Sequence, residues 1–202
     1  DNNSGVKQSY TTGKKSFPLK INVPFTYQYS ASGIGDTKPH EIVWYKRSFS
    51  LKNLGKNTHA LLCFNGCDYE TDVWINGYHV ITHKGGFSPF NVDITNFAHK
   101  NGAENVIVVR CYDPYDPTIP RGKQSWTGER FGCWYIPNTG IWQSVWIEYL
   151  EKDCISSYSI IPNTDNFSFS GEIKTLHNLA KECEIRVYYK EKNIKNCRSS
   201  LD

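Results

Sequence analysis

The sequence predicts an all-β protein built as a β-sandwich, and two observations support that fold class. Aromatic residues make up 14 % of the 202 residues, and they stand with Val and Ile in short runs that Gly, Pro, Asn and Asp interrupt. Several of these runs alternate apolar and polar residues, whereas no segment carries the longer apolar stripe of an amphipathic helix. Short alternating strands without long helices are typical of two packed sheets.

The clearest alternation lies in the first half of the chain. Over residues 71–76, Val73 and Ile75 share one face of the predicted strand. The Asn76-Gly77 pair that follows is a strong signal for a two-residue turn, so residues 78–81 are predicted to return as the second strand of a hairpin.

Further elements follow in order along the chain. Residues 93–99 begin with capping oxygens and predict a single helical turn. The nearly continuous apolar run 105–111 predicts an interior strand, and alternation returns over 141–149.

A domain boundary is predicted at 150–153, where the aromatic density falls and the strand spacing tightens. Residues 1–150 then form one sandwich, and residues 151–202 form a second, incomplete domain, since about fifty residues are half of what an immunoglobulin-like sandwich needs. Strands are predicted in this second part over 155–161, 167–173 and 184–189.

Charge and hydropathy exclude several classes of partner. The 23 basic and 20 acidic groups are mixed along the chain and leave a net charge of +3, so we expect neither nucleic acid nor a membrane surface as a partner. No apolar run has the length of a membrane span, and no signal peptide is recognisable. The chain contains no methionine and begins with Asp1, from which we expect a cut or excised piece.

The cysteines favour free thiols. Their number, seven, is odd, and the chain is long enough to fold without disulfides, which favours a reducing compartment and a cytoplasmic protein. A disulfide framework is the alternative. Cys63 and Cys67 have the spacing of two metal ligands, but no second pair follows, so we expect no metal site and interpret both as buried thiols.

The stretch from 113 to 138 is the candidate binding segment, because long irregular loops in compact domains are usually functional. Its Trp and Tyr rings offer flat apolar faces to sugar C–H groups, and its polar side chains can hydrogen-bond to hydroxyl groups. The alternative is that the two Trp residues only cover the end of the sandwich. The candidate sugar-binding residues in this stretch are Asp113, Arg121, Gln124, Trp126 and Trp134.

The residues do not assemble into an active site. Glycoside hydrolysis needs two carboxyl groups facing each other across a sugar. Asp68, Glu70 and Asp72 are spaced by two and are interpreted as one solvated strand face. No Gly-x-Ser-x-Gly motif and no phosphate-binding loop is present, so we expect no catalytic residue and no cofactor.

Seven motifs in order give a resemblance to a known family. Together they resemble the N-terminal sugar-binding domain of family-2 glycoside hydrolases, the β-galactosidases and β-glucuronidases, over about 24–150. The motifs lie at 44–49, 62–66, 72–77, 85–90, 92–95, 105–110 and 140–148. The resemblance implies a galactose-binding-like jelly roll, followed by the start of an immunoglobulin-like domain.

The resemblance also implies site residues and a missing part. Asn76 matches an Asn that approaches the sugar in the galactosidases, although the residue also suits a tight turn. Well-known members carry a second sugar-approaching residue, an Asp, at the position of Trp134. Because of this difference, the resemblance does not determine which sugar is bound. The run 120–124 is shared by a subgroup of members. The family's acid/base Glu follows an Asn in its (β/α)₈ barrel, and no Glu here does so.

Three hypotheses follow for the function. The first is a non-catalytic sugar-binding domain of a family-2 glycosidase, whose partners are carbohydrate and the barrel domain of its own parent chain. The second is a free-standing carbohydrate-binding module, and the third is a structural or adhesive sandwich. The first predicts that the isolated chain hydrolyses no glycoside, whereas the second predicts sugar binding tighter than about 0.1 mM.

Overall fold

The computed structural model describes residues 4–52, 54–151, 154–175 and 182–200, and strands dominate it. The elements are α1 (Ser4–Lys7), two 3-10 turns (Tyr10–Thr12 and Ser30–Ser32), β1 (Ile42–Ser50), β2 (Thr58–Phe64), β3 (Cys67–Asp68), β4 (Glu70–Ile75), β5 (Tyr78–Lys84), β6 (Phe90–Asp93), β7 (Glu104–Tyr112), β8 (Gly140–Ile141), β9 (Val145–Glu151), β10 (Ile155–Asn163), β11 (Ser168–Thr175), β12 (Glu182–Tyr189) and β13 (Lys192–Ser200). The predicted all-β class is confirmed. In the described ranges, every helix is too short or too polar to cross a membrane.

The chain divides into two compact units, Asp1–Tyr149 and Leu150–Asp202. The first unit contains a four-stranded antiparallel sheet with the order β1-β7-β4-β5 and a three-stranded sheet with the order β6-β2-β9. A short antiparallel ladder joins β3 to β8. Side chains from both larger sheets meet in one buried cluster, so the unit is a sandwich with a shared core.

Burial of apolar side chains stabilises this core. Phe64 of β2 and Ile75 of β4 come from opposite sheets, and neither side chain is exposed. Burying a side chain of this size contributes about 1.5–3 kcal/mol. The Phe64 ring also stacks on Phe90 of β6, with 4.7 Å between ring centroids.

The turn between β4 and β5 and the helical turn after β6 are both present. Asn76 and Gly77 have φ values of 53° and 89°, the left-handed pair that a type I′ turn requires. After β6, the amides of Phe97 and Ala98 both donate to the Ile94 carbonyl at 3.0 Å, which forms a single helical turn.

The predicted solvated face for Asp68, Glu70 and Asp72 is wrong at its first member. Asp68 belongs to β3, where it pairs with Gly140, and it is only 3 % exposed. The strand is interrupted at Tyr69, so a spacing of two residues does not keep Asp68 on the same face as the acids of β4.

The second unit consists, in its described residues, of two antiparallel hairpins, β10 with β11 and β12 with β13. The three strands predicted in this part overlap β10, β11 and β12, and the structure adds a fourth strand, β13, which the sequence pattern does not predict. Every residue of β10 is exposed, including its apolar Ile160 and Ile161. Isolated hairpins are only marginally stable, and an all-strand unit of this kind agrees with the predicted start of an immunoglobulin-like domain.

Candidate functional site

The segment between β7 and β8, residues 113–139, folds back on itself as one long loop, called here the 113–139 loop. Its two arms are joined in the middle, where the amide of Ser125 donates to the Tyr135 carbonyl at 2.8 Å. The amide of Tyr135 donates in turn to the Lys123 carbonyl at 2.9 Å. Since these bonds are local to the loop, its tip is held by its own backbone.

A buried ion pair ties both ends of the loop to its middle. Asp113, at the end of β7, is completely buried and accepts from Arg121 Nη1 at 2.5 Å. Its other oxygen accepts from the hydroxyl of Thr139 at 2.8 Å, just before β8. Burial raises the pKa of the Asp113 carboxyl, while the charge of Arg121 and its hydrogen bond act in the opposite direction.

A second buried contact joins the loop to β3. Gln124 Nε2 donates to Asp68 Oδ2 at 2.8 Å, and Gln124 Oε1 accepts from the Asn138 amide at 2.6 Å. Burial, reinforced by the charge of Asp113, raises the pKa of the Asp68 carboxyl to about 6. Gly86 packs directly on this carboxyl, because a Cβ at that position would overlap Asp68 Oδ1.

Neither buried carboxyl is placed to act on a sugar. Asp68 and Asp113 are each at most 3 % exposed; Asp68 Oδ2 and both oxygens of Asp113 accept hydrogen bonds from side chains of the same chain. A glycosidase pair must flank the bound sugar, with room between the two carboxyl groups. The contacts of Asp68 and Asp113 therefore position the loop.

The tip of the loop presents an aromatic cluster, formed by Trp126, Phe131, Trp134 and Tyr135. Trp126 packs edge-on against Trp134, at 4.9 Å between centroids, and against Phe131 at 5.4 Å. Trp126 and Phe131 are each 40 % exposed, and Tyr135 is 57 % exposed. Such a group offers a rigid apolar surface with Trp N–H and Tyr O–H groups at its edges.

An open cleft of about 280 Å³ is lined in part by the same loop. Its charged residues are Lys38, Glu129 and Arg130. Gly128 lies against Pro39 in this cleft with a φ of 81°, and a Cβ added to it would lie only 3.0 Å from the proline ring. The two cations give the cleft an excess of positive charge next to the loop tip.

Asn76, the remaining candidate, lies at the turn between β4 and β5. Its Nδ2 donates to the Phe97 carbonyl at 3.0 Å and to Asn105 Oδ1 at 2.8 Å. Its Oδ1 accepts from the Val106 amide at 2.9 Å. These three bonds tie the turn to neighbouring segments of the sandwich.

The structure thus separates the six candidate residues into three settings. Trp126 and Trp134 meet in the aromatic cluster, whereas Asp113, Arg121 and Gln124 are buried under the loop and Asn76 stabilises a turn. Sequence reasoning missed Asp68 and the cleft residues Lys38 and Arg130. The aromatic spacing within the loop could have added Phe131 and Tyr135. Among the described residues, no group of three or more His, Cys, Asp or Glu side chains could hold a metal ion.

A family model described as "Glycosyl hydrolase 2 galactose-binding domain-like" matches residues 36–142, more than half of the chain. The chain belongs to this family. The match includes β1 to β8 and the whole 113–139 loop, so this galactose-binding-like domain of glycosyl hydrolase family 2 contains both the aromatic cluster and the cleft.

The curated relatives of this family-2 domain include proteins named β-glucuronidase and proteins named β-galactosidase. A putative β-glucuronidase of Formosa agariphila is 32 % identical over 142 residues, which cover 69 % of this chain and 16 % of that protein. A β-galactosidase of Thermoanaerobacter pseudethanolicus is 29 % identical over 109 residues, covering 54 % of this chain and 14 % of that protein. The chain thus spans about a sixth of the length of these relatives.

Solved structures have the same fold. The β-glucuronidase of an uncultured Clostridium superposes with a TM-score of 0.74 at 23 % identity, covering 100 % of this chain and 36 % of that one. The β-glucuronidase of Ruminococcus gnavus in complex with D-glucuronic acid gives a TM-score of 0.72 at 20 % identity, covering 96 % and 35 %. At these identities the comparison establishes the fold, and the predicted jelly-roll class is confirmed.

Proposed function

We propose that this chain is the sugar-binding domain of a family-2 glycosidase, and that it lends the tip of its 113–139 loop to the rim of a sugar site. Hydrolysis of the O-glycosidic bond would be performed by a (β/α)₈ barrel of the same enzyme, outside these 202 residues. The chain alone is then non-catalytic, with carbohydrate and that barrel as its partners.

The aromatic cluster is the observation that carries this proposal. Trp126, Phe131 and Tyr135 remain exposed although aromatic side chains of this size are usually covered. The cluster stands on a loop that a buried ion pair holds in place, as a preorganised binding surface requires. Family membership supports carbohydrate as the ligand, and the names of the relatives support a β-glucuronide or a β-galactoside.

The buried candidates have a supporting role in this proposal. Asp113, Arg121 and Gln124 hold the loop from below, so that Trp126 and Trp134 keep one orientation. Rigid support of this kind lowers the entropy cost of binding, since fewer side chains must be ordered when the sugar arrives.

The experiment compares Trp134→Ala with Trp146→Ala in the full-length parent enzyme. Trp146 is the matched control because it is 39 % exposed and lies on β9, outside the loop. We expect Trp134→Ala to raise KM for the cleaved nitrophenyl glycoside about tenfold, as loss of an aromatic binding anchor does, with kcat little changed. Equal KM values for the two variants, with both folded, would contradict the proposed rim.

A free-standing carbohydrate-binding module is the second candidate function. The observation that favours it is that the cluster and the cleft both lie within residues 37–136 of the first unit, so a ligand could bind there without another domain. Calorimetric titration of the 202-residue chain with glucuronic acid and galactose separates the two functions. Binding tighter than about 0.1 mM, or about 5–6 kcal/mol, would favour the module.

A further inference from the structure

Two buried cysteines face each other beneath the 113–139 loop. Cys67 lies in β3 and Cys111 in β7, neither side chain is exposed, and their sulfur atoms are 3.1 Å apart. A disulfide requires about 2.05 Å between the sulfur atoms, so the two sulfur atoms of this pair would have to approach by about 1 Å. By contrast, the buried thiol of Cys63 donates to the Leu61 carbonyl.

The position of this pair connects it to the loop. Cys67 directly precedes Asp68, which binds Gln124, and Cys111 lies two residues before Asp113, which binds Arg121. A covalent bond between the two sulfur atoms would therefore join β3 to β7 at the base of both buried contacts that hold the loop.

We propose that Cys67 and Cys111 form a modification site, which closes to a disulfide when the chain folds with a low-molecular-weight disulfide such as oxidised glutathione. One cysteine thiolate attacks the glutathione disulfide and releases one glutathione thiolate, giving a mixed disulfide. The second cysteine thiolate then attacks the protein sulfur and releases the other glutathione. Two protein thiols are oxidised, one glutathione disulfide is reduced to two thiols, and the two protons pass to solvent or to the released thiolates.

Burial restricts this reaction to the folding stage. In the folded chain no solvent reaches either sulfur, and burial together with the neighbouring Cys67 thiol raises the pKa of the Cys111 thiol. Exchange needs an accessible thiolate, so the folded pair reacts slowly in either direction. The chain then keeps the thiol or disulfide form in which it folded.

The test is cell-free synthesis of the 202-residue chain with either reduced or oxidised glutathione, followed by alkylation in urea and peptide mapping. With oxidised glutathione we expect a peptide that links residues 67 and 111, and with reduced glutathione we expect both residues to be alkylated. The linked form should also unfold at a urea concentration about 1–2 M higher, because the cross-link restricts the unfolded chain.

Two variants complete the test. Cys111→Ala should abolish both the linked peptide and the difference in urea midpoint, whereas Cys63→Ala, which removes another buried thiol, should preserve both. Tryptophan fluorescence reports folding in each mixture. Alkylated Cys67 and Cys111 in a folded chain made with oxidised glutathione would overturn the proposal. So would linkage of either residue to another cysteine, or a chain that folds only in the reduced mixture.

Discussion

The buried carboxyl of Asp68 makes the stability of the first unit depend on pH in an uncommon direction. Its pKa is about 6 in the folded chain, against an ordinary value of 3.8 that applies after unfolding. The folded state therefore binds this proton more tightly than the unfolded state does. The contribution of Asp68 to stability is greatest below pH 3.8 and is lost as the pH rises through 6.

The magnitude follows from the same two values. The difference between 3.8 and about 6, at about 1.4 kcal/mol per pH unit, corresponds to about 3 kcal/mol of unfolding free energy. Asp68 is 3 % exposed, so solvent screening does not reduce this figure greatly. Asp68→Asn removes the titration and keeps an oxygen that can accept from Gln124 Nε2.

The assay is urea unfolding of the wild-type chain and Asp68→Asn between pH 4 and pH 8, followed by tryptophan fluorescence. All six tryptophans precede residue 149, so the signal reports the first unit. We expect the variant to gain about 2 kcal/mol relative to wild type between pH 4 and pH 7, which is less than the full value of about 3 kcal/mol because the carboxyl of unfolded Asp68 is already more than half ionised at pH 4. Titrating groups that do not interact with Asp68 cancel in this comparison, because both proteins contain them.

Asp116→Asn is the matched control on the same loop. Hydrogen bonds from the amide and the hydroxyl of Thr118 lower the pKa of Asp116, so its small effect has the opposite sign. A difference between wild type and Asp68→Asn that stays constant from pH 4 to pH 8 would refute the reasoning, because it would mean that Asp68 titrates alike in both states.

Three further outcomes are expected. Asp113→Ala leaves the buried guanidinium of Arg121 without its carboxylate and should lower the unfolding free energy by about 3–5 kcal/mol; an unchanged urea midpoint would contradict this. Asn76→Ala removes three hydrogen bonds and places Ala at a φ of 53°, so it should lower the unfolding free energy by about 2–3 kcal/mol. Asn76→Gly should recover part of this loss, because Gly adopts a positive φ without strain. Equal stability of wild type and both variants would count against the role of Asn76 in the turn. In the parent enzyme, Arg130→Ala should raise KM for a glucuronide more than for a galactoside, because it removes from the cleft a cation that could pair with the carboxylate of the glucuronide. Equal changes in KM for the two substrates would show that the cleft does not recognise this carboxylate.

Local patterns predicted much of the first unit. The alternation around Val73 and Ile75 correctly predicts which side chains of β4 face the core. The Asn76-Gly77 pair correctly predicts the turn to β5, because both signals lie within a few residues of sequence. The apolar run 105–111 corresponds to β7, which is interior because it pairs with strands on both sides.

The contacts under the loop could not be predicted in the same way. Arg121 has the polarity of a surface residue, and its burial depends on Asp113 and Thr139, which the fold brings together from 8 and 18 residues away. Asp68 follows the spacing of a solvated strand, but the interruption at Tyr69 turns it inward. A spacing pattern carries no information about such tertiary partners. The family resemblance predicts the fold, but it does not predict these individual contacts.

A sugar-binding role for Asn76 stays a prediction, since its turn contacts leave that role untested. Its side chain already uses both its nitrogen and its oxygen within the sandwich. The kinetic effect of Asn76→Gly in the parent enzyme would therefore test binding with less disturbance of the turn than Asn76→Ala.

The closure of the 113–139 loop at its base has a consequence for protein engineering. Because Asp113 is hydrogen-bonded to both Thr139 and Arg121 close to the sandwich, the outer residues 126–135 extend from a closed base, and Gly128 packs on Pro39 outside the loop. New loop tips could be inserted between the hydrogen-bonded ends of the loop without redesigning the sheets. With the proposed sugar site at the loop tip, the same arrangement would let related family-2 domains vary that site while the scaffold beneath stays unchanged.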